Sequence, residues 1–210
     1  MDFHRTLNQA YDPAETTDSL KTLYDKWSIS YDEGFSGRYN GPKYIGEALS
    51  KVVSDKHARI LDCACGTGLV GEQLRAIGYD NIDGVDMSEG SLQLAREKGI
   101  YSKLLAETLG AQPMDGVQKD SYDAIICSGA FGSGHLTDVV FHEWTRVVKP
   151  GGFIVIAANE KFIHLVKGDT FKKLMETKVI EVTDDFYLPA YIITGDKNAS
   201  GCYAITMKIL

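Results

Sequence analysis

The amino-acid sequence predicts an α/β fold: one open sheet of about seven strands, mostly parallel with one antiparallel C-terminal strand, and helices on both faces. Three observations carry this expectation. Short apolar runs alternate with longer amphipathic ones, which is the pattern of βαβ units. The first apolar run breaks into a glycine-rich turn, residues 66–71, that opens a helical repeat. Two apolar stretches near the C-terminus flank a polar loop, as in a hairpin. At 210 residues, 44% of them hydrophobic and 24% charged, the chain can bury the core of one domain without disulfides.

The elements follow in order. Residues 59–63 form the first strand, and Leu69, Val70, Leu74 and Ile77 then repeat at helical spacing until Gly78. Residues 81–86 form a second strand, and Ser88 caps a helix that runs to Lys98 and closes at Gly99. A short strand near 102–106 leads into a polar stretch with Pro113 and Gly116, where only a stunted helix fits. Residues 122–127 are apolar enough for a central strand. A helix over about 136–148 then meets Lys149-Pro150-Gly151-Gly152, a turn, and residues 153–158 form a fifth strand. Residues 191–194 and 202–209 read as the closing hairpin, joined by the loop 195–201.

Residues 1–45 break the rhythm. Their aromatics Tyr11, Tyr24, Trp27, Tyr31, Phe35, Tyr39 and Tyr44 stand among polar residues, which suits either an edge helix packed on the sheet or a lid over a site. We expect one domain over 1–210, with a helical cap at 1–45 and the core at 46–210.

Composition removes several classes. A net charge of −7 argues against a sequence-independent grip on nucleic acid. No window resembles a membrane span or a secretory leader, so a cytoplasmic protein, with the nucleus open to it, is expected. Cys63, Cys65, Cys127 and Cys202 are too few for a disulfide scaffold, and Cys63 and Cys65 lack a second pair at zinc spacing, so no metal is expected. Asn198-Ala199-Ser200 matches a glycosylation acceptor but reads as a loop. The lysines at 161, 167, 172, 173 and 178 read as a solvated helix face. No Gly-x-Ser-x-Gly elbow or phosphate-loop lysine is present.

Gly66-Thr67-Gly68-Leu69-Val70-Gly71 matches G-x-G-x-x-G after a strand, and Asp86 ends the next strand twenty residues on. That spacing fits a dinucleotide, with pyrophosphate on the helix start and the acid on ribose. Asp62 argues otherwise. A carboxylate at the mouth of the turn would face the pyrophosphate, and like charges in a partly dry cleft repel. S-adenosylmethionine brings an ammonium for Asp62, a carboxylate for the helix amides and ribose hydroxyls for Asp86.

The segment Ile60-Leu61-Asp62-Cys63-Ala64-Cys65-Gly66-Thr67-Gly68 resembles the first motif of class I S-adenosylmethionine-dependent methyltransferases, which have a Rossmann-like sheet. Residues 82–88 resemble their second motif, Tyr122 to Ala130 their fourth-strand motif, and residues 148–152 the turn before strand five. Residues 61–74 and 98–101, with Tyr24-Asp25-Lys26-Trp27 and Tyr31-Asp32, resemble more closely the Williams–Beuren syndrome region methyltransferase-like proteins.

The resemblance implies a site. Asp62, Ala64, Cys65, Gly66, Thr67 and Gly68 would line the methionine end of the cofactor. Asp86 would hold the ribose, with Met87 on the adenine face and Ser88 beside it. Ala106, Glu107 and Thr108 match the stretch that meets the adenine amino group, although Leu105 stands where the family often has Asp. Cys127, Ser128 and Gly129 end the fourth strand beside the methyl group, and Tyr24, Trp27 and Tyr31 would close over the cofactor. His135, after Gly132-Ser133-Gly134, is placed for a general base, with helix capping or surface exposure as its rivals, and Tyr31 is the other catalytic candidate. The loop after Cys127 lacks the Asp/Asn-Pro-Pro-aromatic motif of enzymes that methylate nucleobase or amide nitrogens. The expectation is a methyltransferase that uses S-adenosylmethionine and releases S-adenosylhomocysteine, acting on a small molecule or a protein side chain. The alternatives are a non-catalytic S-adenosylmethionine-binding module and an NAD-dependent oxidoreductase.

Overall fold

Seven strands lie in one sheet in the order β3-β2-β1-β4-β5-β7-β6, and β7 alone runs against its neighbours. The structure, a computed structural model, describes residues 2–192 and 200–210. The chain runs α1 (Phe3–Ala10), α2 (Thr17–Phe35), α3 (Gly41–Val52), β1 (Ile60–Cys63), α4 (Leu69–Ala76), β2 (Ile82–Asp86), α5 (Glu89–Glu97), β3 (Lys103–Ala106) and β4 (Tyr122–Ser128). Then follow a 3-10 turn (Asp138–Val140), α6 (Phe141–Val147), β5 (Val148–Asn159), a second 3-10 turn (Glu160–Phe162), α7 (Ile163–Val166), α8 (Asp169–Glu176), β6 (Ile180–Ile192) and β7 (Ser200–Ile209). The seven-strand, mostly parallel sheet is the expected one.

Alternation along the central strands builds two cores. Ile60, Ala124, Ile126, Val155 and Ala157 face α2, α3 and α4, while Leu61, Ile125, Cys127, Ile154 and Ile156 face α6, α7 and α8. A strand buried on both faces reads as an unbroken apolar run, and residues 122–127 do so for this reason. Gly78, at φ +101°, ends α4 where a residue with a Cβ would be strained, and the Ser88 hydroxyl caps α5 by accepting from Ser91 N–H.

Four expectations need correction. No helix forms over residues 107–121. Glu107 accepts from Asp115 N–H there, and the buried Glu143 carboxylate accepts from Met114 N–H, so side chains satisfy the loop backbone. The helix expected over 136–148 is shorter, because Leu136 bridges back to Phe131 before the 3-10 turn starts. β5 starts at Val148, ahead of the Pro–Gly turn, with a register shift against β4 between Tyr122 and Ala124.

β6 starts at Ile180, not 191. Its alternation is obscured by Glu181, Asp184 and Asp185 and by two register shifts, which are features of an edge strand that discourages further pairing. Ile193, Thr194 and the loop with Asn198 lie outside the described residues. α3 straddles residues 45 and 46 and packs on α4, β4, β5 and β7, so the division drawn there between cap and core falls inside one helix. No helix among the described residues is long and apolar enough to cross a membrane.

Candidate functional site

Strand order reverses between β1 and β4, and in open α/β sheets the crevice outside the carboxyl ends at such a point is where ligands sit. The turn after β1 shapes its floor. Ala64, Gly66 and Gly68 all have left-handed φ, at +56°, +54° and +95°. Gly pays nothing for this, whereas Ala64 is strained, as backbone at functional sites often is. A Cβ at Gly66 would meet nothing within 4 Å, so the glycine leaves open space above the turn.

Asp62 is fully buried beneath the turn and does not line the crevice, contrary to its expected place at the mouth. Its Oδ2 accepts from the Tyr101 hydroxyl at 2.7 Å, and its Oδ1 has neither solvent nor a partner. Burial pushes its carboxyl up to about 7; the Tyr101 hydrogen bond opposes that and nearby Asp86 adds to it. No Lys or Arg among the described residues is paired with it. Tyr101 reaches it past Gly71, where a Cβ would stand 2.5 Å from the phenol oxygen, and past Gly84, where it would stand 3.1 Å from the ring.

Asp86 does line the crevice. Its Oδ2 accepts from Gly66 N–H at 2.9 Å and its Oδ1 from Ser88 N–H at 2.8 Å, so both the turn and the next helix hold its carboxylate in place. Burial raises its pKa, and those amides pull it back.

The crevice is open to solvent, and with that open space counted it measures about 820 Å³. Of the predicted residues, Ala64, Gly66, Thr67, Asp86 and Met87 line it on one side, and Glu107, Thr108, Ser128 and Gly129 on others. Tyr24, Tyr31 and His135 cover it. Cys65, Gly68, Ser88, Ala106 and Cys127 do not line it; they lie in the turn, the α5 cap and the strand ends that shape it. Trp27 is buried in the core behind Tyr24 and also misses it. Cys63, Cys65 and Cys127 are buried thiols pushed well up by desolvation, and no metal cluster exists among the described residues.

Helix α2 does both things at once: Tyr24 and Tyr31 border the crevice, and Leu20, Leu23 and Trp27 pack into the core. Asp25 of α2 accepts from the Ser88 hydroxyl at 2.7 Å and Gly90 N–H at 3.0 Å, so one bank of the crevice is tied down. Asp32, two turns on, accepts from the Thr67 hydroxyl and from Lys98 Nζ at 2.7 Å, and Lys98 also bonds Glu72. Tyr24 and Tyr31 project from the same helix into the crevice. The Asp25 and Asp32 contacts escaped sequence reading because their partners lie 35 to 66 positions away.

His135 caps no helix. Its Nδ1 lies 2.8 Å from the Ser133 carbonyl, which can only accept, so Nδ1 carries the proton. Its Nε2 therefore accepts from the Tyr24 hydroxyl at 2.9 Å. Burial lowers the imidazole pKa, so the ring is neutral near pH 7. Farther in, Tyr39 Oη lies 2.8 Å from Ser128 Oγ and 3.1 Å from Tyr191 Oη, which joins the cap to β4 and β6. Behind the crevice the wall leaves a gap with room for about one water molecule, with Gly129, Tyr24 and Tyr31 common to both.

A family model described as a methyltransferase domain matches residues 60–152, the stretch from β1 to the turn in β5. Fold, turn and this match together place the chain among the class I S-adenosylmethionine-dependent methyltransferases. It is 35% identical over 146 residues to methyltransferase-like protein 27 of Homo sapiens, covering 68% of this chain and 59% of that one. Identity to a ubiquinone biosynthesis O-methyltransferase of Hydrogenovibrio crunogenus is 27% over 147 residues, again 68% and 59%. The chain thus spans about three fifths of the length of these curated relatives.

Among solved structures, a complex of the Haloferax volcanii Trm112 methyltransferase activator with a putative methyltransferase aligns at TM-score 0.66 and 18% identity, over 89% of this chain and 97% of the other. The [4+2]-cyclase SpnF aligns at TM-score 0.67 and 14% identity, over 94% and 98%. The sheet alone therefore does not dictate methyl transfer, and the argument for activity rests on the site.

Proposed function

We propose that the chain binds S-adenosylmethionine in the crevice and transfers its methyl group to a small molecule, with residues 1–210 acting as one domain under the helical cap. The observation that carries this reading is the unpartnered, buried Oδ1 of Asp62 with no cation beside it. A buried carboxylate oxygen without a donor costs free energy, and an ammonium brought to the turn satisfies it. A diphosphate on the turn would lie above the buried Asp62 carboxyl with no cation paired to it, and the repulsion argues against a nicotinamide dinucleotide.

Each residue has a task. Gly66 leaves room for the ligand's carboxylate at the start of α4, Asp86 accepts from ribose hydroxyls with its remaining lone pairs, and Met87 offers a flat apolar contact to a base. Glu107, whose carboxylate already holds Asp115 N–H, supports the base-side loop. When bound, S-adenosylmethionine supplies a methyl carbon activated by its sulfonium. The chain then aligns the acceptor beside Ser128 and Gly129, excludes water under α2 and offers His135 Nε2 for a proton. The cover over the crevice favours a small molecule over a protein side chain, because α2 is pinned to both ends of α5 and Tyr24 meets His135 across the crevice. The O-methyltransferase names of several relatives support an oxygen acceptor. Four free, buried cysteines fit a reducing compartment such as the cytoplasm.

Calorimetric titration tests the reading. S-adenosylmethionine and S-adenosylhomocysteine should bind with one site each, and NADH should not. Binding of NADH with no heat from S-adenosylhomocysteine would overturn it.

A further inference from the structure

Two phenol rings of the cap meet at the inner end of the crevice. Tyr24 and Tyr31, two turns apart on α2, border both the crevice and the gap behind it. Gly129 does so too, and the pair therefore stands beside the end of β4. Their ring centroids lie 6.5 Å apart and their planes meet at 57°, which makes a corner. Trp27 holds that corner from behind, stacked on Tyr24 at 5.8 Å and edge-on to Tyr31 at 5.0 Å. Phe35 supports Tyr31 from the following turn at 4.6 Å.

The surroundings favour a positive guest. Among the described residues, the charged side chains lining the crevice are Asp86 and Glu107, and no Lys or Arg joins them. Burial pushes both phenols well above the ordinary tyrosine range, and nearby Asp86 adds to this, so both rings stay protonated and neutral. A neutral phenol ring carries a negative face. That face attracts a cation beyond the ordinary contact it gives an uncharged group.

We propose that Tyr24 and Tyr31 read the charge on the ligand's sulfur, so that the crevice holds the sulfonium of S-adenosylmethionine in preference to the neutral thioether of S-adenosylhomocysteine. The inference rests on the methyltransferase reading and adds two specificity-determining residues to it. Both ligands share the base, the ribose, the ammonium and the carboxylate. Asp62, Asp86 and the turn at Gly66 therefore serve the two alike, and only the sulfur's charge and one methyl group separate them. A cation on aromatic faces is worth about two- to thirtyfold in affinity, from an exposed site to a desolvated one. When the methyl group has gone to the acceptor, the carbon–sulfur electron pair stays on sulfur and cancels its charge. The rings then lose their hold, and the by-product is gripped less than the substrate that replaces it.

Calorimetric titration of the full chain with each ligand gives the ratio of the two Kd values. In the wild type, S-adenosylmethionine should bind at least about threefold more tightly. Tyr31→Phe keeps the ring face and should keep that ratio within twofold. Tyr31→Leu leaves an apolar contact for the methyl group but no ring face, and should bring the ratio close to one. Both variants should hold S-adenosylhomocysteine within about threefold of wild type, which shows that they fold; Tyr31→Met replaces the leucine variant should that one not fold. Wild-type binding of S-adenosylhomocysteine as tight as that of S-adenosylmethionine would overturn the proposal. So would a ratio unchanged without the ring, or one lost as fully in Tyr31→Phe. Those outcomes leave the cofactor reading standing, whereas a wild type that binds neither ligand sinks both.

Discussion

The Tyr101 hydroxyl donates to Asp62 Oδ2 at 2.7 Å from beneath the glycine turn, and it can do so only because residue 71 is glycine. The third glycine of the G-x-G-x-x-G pattern therefore serves the acid under the turn, not a phosphate above it.

Gly71→Ala tests this dependence. The new methyl would stand 2.5 Å from the Tyr101 oxygen and must displace it. Overpacking of this kind costs roughly 1–3 kcal/mol. Denaturant unfolding should show that loss, and S-adenosylhomocysteine titration should weaken at least fivefold. Tyr101→Phe in the same background should not restore stability, because the ring carbon Cζ still stands 2.6 Å from the new methyl.

Asp62 makes stability and binding respond oppositely to pH. Its folded pKa, raised to about 7, lies above the ordinary Asp value near ~4, so the folded chain keeps a proton that the unfolded chain releases. Its contribution to stability is full below pH ~4 and is lost as pH rises to about 7. The Tm of Asp62→Asn relative to wild type should therefore climb between pH 5 and 8. Cofactor affinity should run the other way, rising in wild type from pH 5.5 to 7.5 and staying flat in the variant. At pH 7.5 the variant should bind more weakly by about 1.5–3 kcal/mol, the scale of a charge-assisted hydrogen bond. A wild-type affinity independent of pH would remove Asp62 from the site.

Asp25→Asn strikes the lid without touching the crevice wall. The Ser88 hydroxyl and Gly90 N–H lose a charged acceptor, worth about 1–2 kcal/mol, and α2 should open more often. Hydrogen exchange over residues 17–35 should quicken, and S-adenosylhomocysteine should dissociate several times faster in stopped-flow.

His135→Gln and Tyr24→Phe separate proton transfer from binding. With acceptor and cofactor saturating, each should lower methyl transfer by roughly 10²–10⁴-fold, the usual worth of general base catalysis. S-adenosylhomocysteine affinity should change little in the glutamine variant. The imidazole, neutral because burial lowers its pKa, should keep wild-type turnover flat above its ordinary value and let it fall only in more acidic solution.

Legibility in the sequence followed the range of the interaction. β4 declared itself because a strand buried on both faces needs an apolar run, and the turn at Gly66 because only glycine sits there without strain. Asp62 stood out for its charge, yet its true depth depends on Tyr101, which is 39 positions away and was visible only as part of a family resemblance. β6 was hidden by the acidic residues that protect its exposed edge. Tyr39 and Tyr191 meet across 152 positions, and nothing local in either segment announces the other. The lid was one of two readings for the first forty-five residues, since aromatics alone cannot say which side of a helix will find hydrogen-bond partners.

Asp25 and Asp32 tie α2 to the two ends of α5 and to Thr67 in the turn, so α2 and α5 move as one body. Under the proposed function, the exit of a spent nucleoside then falls to the contact across the crevice, Tyr24 on His135, the hydrogen bond that release must break there.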